Sequence, residues 1–91
     1  MKFELDELRE KQVINVIDGK ILGNIEDFEV DDIDGRIISI IIPEGGRGFF
    51  NFFGKSEEYV IPWECIKKIG EDTILIEFAE VVEIKRETDR N

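Results

Sequence analysis

The chain is 91 residues long, enough for one domain and too short for two, and 42% of its residues are hydrophobic, which argues against disorder. Its 22 acidic and 12 basic residues give a net charge of −10, which repels phosphate, so neither nucleic acid nor an anionic membrane surface is an expected partner. No apolar run approaches the ~20 residues of a membrane-spanning helix, so no membrane insertion is expected.

The N-terminal half is predicted to be mostly β-structure. The apolar spacing in residues 3–11 favours a turn of helix over a strand, and residues 12–17 are rich in β-branched residues, as strands are. Asp18 and Gly19 predict a two-residue type I′ hairpin turn, in which both residues have positive φ. A second strand is predicted over residues 20–31, with a β-bulge near residues 26–27 that keeps its apolar side chains on one face.

A turn at residues 31–35 leads to a third predicted strand at residues 36–43. Its isoleucines occupy both faces, with Ile38, Ile40 and Ile42 on one of them. A strand that is apolar on both faces is buried on both. One face is expected to line a barrel interior, and the other needs cover from a terminal segment or a second subunit.

The C-terminal half continues with a fourth predicted strand at residues 59–63, in which Ile61 and Trp63 are expected core anchors. Residues 63–69 predict one or two turns of helix ended by Gly70. The last core strand is predicted at residues 73–78, with residues 81–84 extending it after a kink. The polar residues 85–91 are expected to form a frayed tail.

The chain offers little catalytic chemistry. It contains no histidine, the usual general base and metal ligand. Ser39 lies among isoleucines, which favours a packing role over a nucleophile. Cys65 has Lys67 and Lys68 nearby to lower the pKa of its thiol slightly, but packing on a helix face is the favoured interpretation. We therefore expect no enzyme, no catalytic residue and no cofactor.

Two glycine-containing loops suggest ligand sites but match known motifs poorly. An EF-hand loop with Gly35 at its sixth position needs an acid where Val30 stands and a glutamate where Ile41 stands, so a solvated turn is favoured over a calcium loop. Residues 45–48 lack the Gly-Lys-Ser/Thr ending of a phosphate-binding loop and indicate a flexible hairpin tip. No metal-binding or cofactor-binding residue is assigned.

A cluster of phenylalanines follows that tip, at Phe49, Phe50, Phe52 and Phe53. These residues alternate between the two faces of a strand, and the interior of a small barrel has room for the side chains of only one face. The other face either packs against the N-terminal segment of the same chain or forms an interface with a partner. We predict a homodimer with these four residues at or near its interface.

Several short motifs follow one another in a characteristic order: Leu8-Arg9-Glu10-Lys11, Val13-Ile14-Asn15-Val16, Asp18-Gly19-Lys20, Leu22-Gly23, Asp27, Gly35-Arg36-Ile37, Tyr59-Val60-Ile61-Pro62-Trp63, Ile66-Lys67-Lys68-Ile69-Gly70 and Asp72-Thr73-Ile74-Leu75. Through their order and spacing the chain resembles the PRC-barrel family over about residues 5–84. Within that family it is similar to the YlmC/YmxH group, whose members are associated with sporulating bacteria.

The resemblance implies an all-β fold, a small PRC-type β-barrel with one short helical turn before the final strands. The domain is expected at residues 1–84 and the tail at residues 85–91. The implied function is a non-enzymatic protein-interaction (adapter) module with an unidentified protein partner. A cytoplasmic location is expected because there is no signal peptide and only one cysteine. The alternative is a small-ligand or divalent-metal binding protein that uses the acidic turn.

Overall fold

The computed structural model describes residues 2–44, 56–79 and 83–86. These residues contain α1 (Leu5–Arg9), β1 (Gln12–Asn15), β2 (Lys20–Asn24), β3 (Asp27–Val30), β4 (Ile37–Pro43), β5 (Ser56–Pro62), a 3₁₀ turn (Trp63–Cys65), β6 (Ile66–Ile69), β7 (Thr73–Ile76) and β8 (Glu83–Arg86). The helical turn predicted for the N-terminal segment is confirmed as α1. Its first turn is held by a capping box between Glu4 and Glu7.

The strands form two four-stranded sheets. The first sheet has the order β2-β1-β7-β6 and the second the order β3-β4-β5-β8. β1 and β7 run parallel, and every other neighbouring pair is antiparallel. The predicted all-β fold with a helical turn before the final strands is confirmed, although strand pairing among the described residues does not join the two sheets into one closed wall.

The hydrophobic core lies between the sheets and takes side chains from both. Val13, Ile74 and Ile76 come from the first sheet, and Ile40, Ile42 and Ile61 from the second, and all six are fully buried. Burying an aliphatic side chain of this size contributes about 1.5–3 kcal/mol. Ile61 is therefore the core anchor that the sequence predicts, whereas Trp63 is only half-buried and packs against the edge of the core cluster.

The hairpin between β1 and β2 forms, but its predicted turn type is wrong. Four residues separate the paired Asn15 and Lys20, and the Gly19 N–H donates to the Asn15 carbonyl at 2.7 Å. Gly19 has φ +73°, whereas no non-glycine residue among the described ones has positive φ, so Asp18 does not take the type I′ conformation. Asp18 instead accepts a hydrogen bond from the Lys20 N–H at 2.9 Å.

The long second strand predicted for residues 20–31 is two strands that belong to different sheets. The chain leaves the first sheet after β2 and enters the second at β3, with Ile25 fully buried at the corner. The parity change near residues 26–27 marks this corner rather than a bulge. A register irregularity lies instead in the β1–β2 pair, where Gly23, at φ +112°, is the partner of Val13.

The predicted helix over residues 63–69 is a single 3₁₀ turn followed by strand β6. Ile66 is the partner of Ile76 and Lys68 of Leu75, so Lys67 is an extra residue on β6. This bulge lets Ile66 and Ile69 both pack against the core although they are three residues apart. Apolar residues at that spacing are typical of a helix, so the sequence pattern predicts a helix where the structure has a bulged strand.

The C-terminal segment also differs from its prediction. β8 does not extend β7 but pairs antiparallel with β5 in the second sheet. Lys85 and Arg86, assigned to the frayed tail, are the last two residues of this strand. Residues 87–91 lie outside the described part of the chain.

The second face of β4 is covered within a single chain. Ile40 and Ile42 are fully buried in the core, while Ser39 and Ile41, which point to the opposite side, are 3% and 4% exposed. The strand is exposed to solvent only near its start, next to the turn at residues 31–35, where Ile38 is 48% exposed. The prediction that both faces are buried is confirmed for the middle of β4, and these residues do not require a second subunit.

Candidate functional site

The predicted partner interface at Phe49, Phe50, Phe52 and Phe53 lies outside the described residues, as does the glycine-rich tip at residues 45–48. The interface therefore stays a prediction.

The two side chains weighed as nucleophiles have packing environments. Ser39 is buried, and its hydroxyl donates to Oε1 of Glu29 at 2.5 Å. Burial raises the pKa of the Cys65 thiol, and the Glu64 carboxylate raises it further, against the weaker opposite effect of Lys67. The expected lowering of this pKa is present for Lys67, but burial and Glu64 outweigh it, so the net shift of the pKa is upward.

The acidic turn between β3 and β4 is organised by contacts within the turn itself. The Ile33 N–H donates to Oδ1 of Asp31 at 2.8 Å, and Gly35, at φ +75°, donates its N–H to the Asp31 carbonyl at 2.8 Å. Asp34 pairs with Arg36 at 3.6 Å. Within residues 2–44, 56–79 and 83–86, no group of three or more acidic, cysteine or histidine side chains is placed to hold a metal ion.

The outer face of the first sheet carries a row of aliphatic side chains. Ile21, Ile14 and Leu75 are register partners on β2, β1 and β7, and Leu75 is in turn the partner of Lys68 on β6. Ile14 alternates with the fully buried Val13, so the row faces away from the core. Ile21 is 62% exposed, whereas Ile14 and Leu75 are half-buried. We call Ile14, Ile21 and Leu75 the outer stripe.

The surroundings of the outer stripe are apolar on one side and charged on the other. Val16 and Ile17 lie in the turn directly after β1 and are 49% and 52% exposed. Beyond Leu75, Lys67 pairs with Glu77 at 3.8 Å, and both side chains are more than half exposed. The surface thus has exposed apolar side chains at its β2 side and in the adjoining turn, half-buried ones in the middle, and a polar border at its β6 side.

A groove of about 640 Å³ opens between α1 and the turn that connects β6 to β7. Backbone contacts hold its two walls together, because the Gln12 N–H donates to the Asp72 carbonyl at 3.1 Å. Lys11 crosses between the walls: its ammonium donates to the Glu71 carbonyl at 2.5 Å and lies 5.3 Å from the centroid of the Phe3 ring. We call this cleft the α1 groove; it is lined by Phe3, Glu7, Glu10, Lys11, Ile69, Gly70, Glu71 and Asp72.

Neither surface was identified from the sequence. In the sequence, the members of the outer stripe are ordinary strand residues. Only the strand register shows that Ile21 lies beside Ile14 and Ile14 beside Leu75. The walls of the α1 groove lie 60 positions apart at the Lys11–Glu71 contact. Within the structure, the burial of Lys11 is what draws attention to the α1 groove, because a lysine is seldom buried without a specific partner.

No helix within the described residues is long and apolar enough to cross a membrane.

Comparison with known proteins agrees with this architecture. The sequence model of the PRC-barrel domain matches residues 1–83. The chain is 48% identical over 77 residues to the probable sporulation protein YlmC of Bacillus subtilis, covering 84% of this chain and 93% of that protein. It is 35% identical over 72 residues to an uncharacterised protein of Clostridium acetobutylicum, covering 79% of this chain and 80% of the relative.

A second Bacillus subtilis relative, the uncharacterised protein YmxH, is 28% identical over 85 residues, covering 91% of this chain and 98% of its own length. The predicted similarity to the YlmC/YmxH group is therefore confirmed. The domain match, the relatives and the two packed sheets agree, and the chain belongs to the PRC-barrel family.

Proposed function

We propose that this chain is a non-enzymatic protein-interaction module of the cytoplasm and that the outer stripe is its docking surface. The observation that carries the proposal is the apolar row on the outer face of the first sheet, which ends at Ile21, 62% exposed, beside the exposed Val16 and Ile17. Exposed aliphatic side chains grouped on a sheet gain free energy when a partner removes them from water, by about 25 cal/mol per Å².

The polar border on the β6 side of the outer stripe is compatible with a protein contact. The chain as a whole carries −10, yet the polar border at the β6 side consists of Lys67, Lys68 and one carboxylate, Glu77, that pairs with Lys67. At this border the positive charges of Lys67 and Lys68 outnumber the one carboxylate of Glu77. Lysines at the rim also provide hydrogen-bond donors that fix orientation.

Sporulation is the process we propose for this module. The support is the similarity to YlmC, whose name is that of a probable sporulation protein. A homodimer with the Phe49–Phe53 segment at its interface also remains part of the proposal. Sedimentation equilibrium of the wild type and of a Phe50→Asp, Phe53→Asp variant tests that assembly: a dimer that dissociates only in the variant supports it, and a monomeric wild type contradicts it.

The docking role is tested by affinity capture from an extract of sporulating cells, with tagged wild type and two variants. Ile21→Lys places a charge in the outer stripe, and Ile33→Lys is the matched control on the other hairpin, where Ile33 is 90% exposed. We expect the wild type and the Ile33 variant to retain the same protein and the Ile21 variant to lose it. Identical capture by all three proteins would show that the outer stripe is not the docking surface.

Calorimetric titration with calcium, magnesium and zinc tests the alternative, a divalent-metal binding protein that uses the turn at residues 31–35. Heat of binding at micromolar metal that disappears in an Asp32→Asn variant would favour the alternative over the interaction module.

A further inference from the structure

We propose that the α1 groove binds a basic segment of a partner protein by taking a lysine or arginine side chain between α1 and the β6–β7 turn. This site lies apart from the outer stripe, and it specifies the chemistry of the partner. It goes beyond the proposed function, because neither the fold nor the family relationship assigns any ligand to this groove.

The first argument is charge complementarity. Glu7, Glu10, Glu71 and Asp72 line the groove and are exposed, and Glu7 also accepts the Glu4 N–H at 2.8 Å in the capping box of α1. The single cation in the lining, Lys11, is already engaged inside the chain through the Glu71 carbonyl and the Phe3 ring. A partner side chain therefore meets an excess of carboxylates, which favours an ammonium or a guanidinium over any anion.

The second argument is the apolar floor. Phe3 and Ile69 are half-buried, line the groove beside Gly70, and also pack against the core cluster. Lysine and arginine side chains have long aliphatic stems that pack on such surfaces while their charged ends stay near carboxylates. The contact between Lys11 and Phe3 at 5.3 Å shows that an ammonium is accommodated against this ring.

The third argument is the arrangement of the carboxylates. They border an open groove of about 640 Å³, and among the described residues no acidic group converges closely enough to coordinate a metal ion. Carboxylates along the edge of a groove can contact the charged end of a long side chain and the neighbouring basic residues of the same peptide. They suit such a ligand better than a single divalent ion, which needs several oxygen ligands close together. The volume falls within the usual range of ligand clefts, which is about 300–1,000 Å³.

The experiment measures fluorescence anisotropy of a short labelled peptide of alternating lysine and alanine, titrated with the full chain. A glutamate–alanine peptide serves as the negative probe. The test variant is Glu71→Gln, Asp72→Asn. Since each exposed ion pair contributes modestly, removing two is expected to weaken binding by about tenfold.

A chain of this charge attracts any cationic peptide weakly, so the control matters. Asp32→Asn, Glu64→Gln removes the same charge at two exposed sites that do not line the groove. We expect this variant to bind the peptide nearly as well as the wild type. Equal weakening in the two variants would mean long-range attraction only and would overturn the proposal, as would the absence of binding.

Amide chemical shifts of the wild type provide a second readout that needs no substitution. Binding in the groove is expected to shift the amide signals of Gly70, Glu71 and Asp72, and shifts confined to other parts of the chain would overturn the assignment. None of these variants alters the outer stripe. A capture experiment that contradicts docking at the outer stripe therefore does not affect the proposal for the α1 groove. A failure of peptide binding in the groove likewise does not affect the proposed docking role of the outer stripe.

Discussion

At the scale of single residues, Asn15 makes the most consequential polar contacts of the core. It is 1% exposed and lies at the end of β1. Its Nδ2 donates to the Phe78 carbonyl at 3.0 Å, and its Oδ1 accepts from the N–H groups of Ile17 and Phe78, both at 3.3 Å. The carboxamide thus continues the hydrogen bonding between β1 and the segment after β7, where the strand ladder ends.

We predict that Asn15→Leu destabilises the domain by about 2–4 kcal/mol, because the carboxamide at this buried position is lost and three part-buried backbone groups lose their partner. Urea unfolding followed by tryptophan fluorescence measures this loss. Asn24→Leu is the matched control: Asn24 also donates to two carbonyls, those of Arg9 and Lys11, but it is exposed. Because Asn24 is exposed and water reaches at least the Arg9 carbonyl, a cost below about 1 kcal/mol is expected. Equal costs at the two positions would contradict this account of Asn15.

At the scale of elements, the β1–β2 hairpin depends on one backbone conformation. Gly19 has φ +73°, and a side chain there would meet no atom within 4 Å, so only the backbone strain opposes substitution. We predict that Gly19→Val destabilises the chain by about 1–2 kcal/mol in urea unfolding, because a β-branched residue resists positive φ.

The matched variant for this turn is Gly19→Asn. Asparagine tolerates the left-handed region better than other non-glycine residues, and the same open space surrounds it. We expect its cost to be clearly smaller than that of valine. If the two variants unfold at the same urea concentration, the backbone conformation of Gly19 is not what limits the hairpin.

At the scale of the whole molecule, the charge of −10 opposes folding. Compaction brings like charges together, and salt screens them, since the screening length falls from about 10 Å at 0.1 M to about 3 Å at 1 M. We predict that the melting temperature rises as sodium chloride is increased over this range. An Asp32→Lys, Glu64→Lys variant has less negative charge and is expected to respond less. A melting temperature that falls with salt would show that ion pairs outweigh the repulsion.

The sequence by itself determined much of the local structure, although not the type of the turn at Gly19 or the strand at residues 66–69. Alternating and β-branched residues located most of the strands, Gly19 and Gly35 marked two turns, with positive φ predicted at Gly19, and the ordered motifs indicated the PRC-barrel family. These features depend on neighbours along the chain, and a sequence pattern records such neighbours directly.

Tertiary structure alone decided which strand joins which sheet. Residues 20–31 are divided between two sheets, the bulge at Lys67 makes a strand from helix-like spacing, and β8 returns to β5. It also brought Lys11 to Glu71 and aligned Ile21, Ile14 and Leu75, so neither candidate surface was visible beforehand. The physical reason is that period and turn are local properties, whereas pairing is set by how the sheets bury their faces against each other.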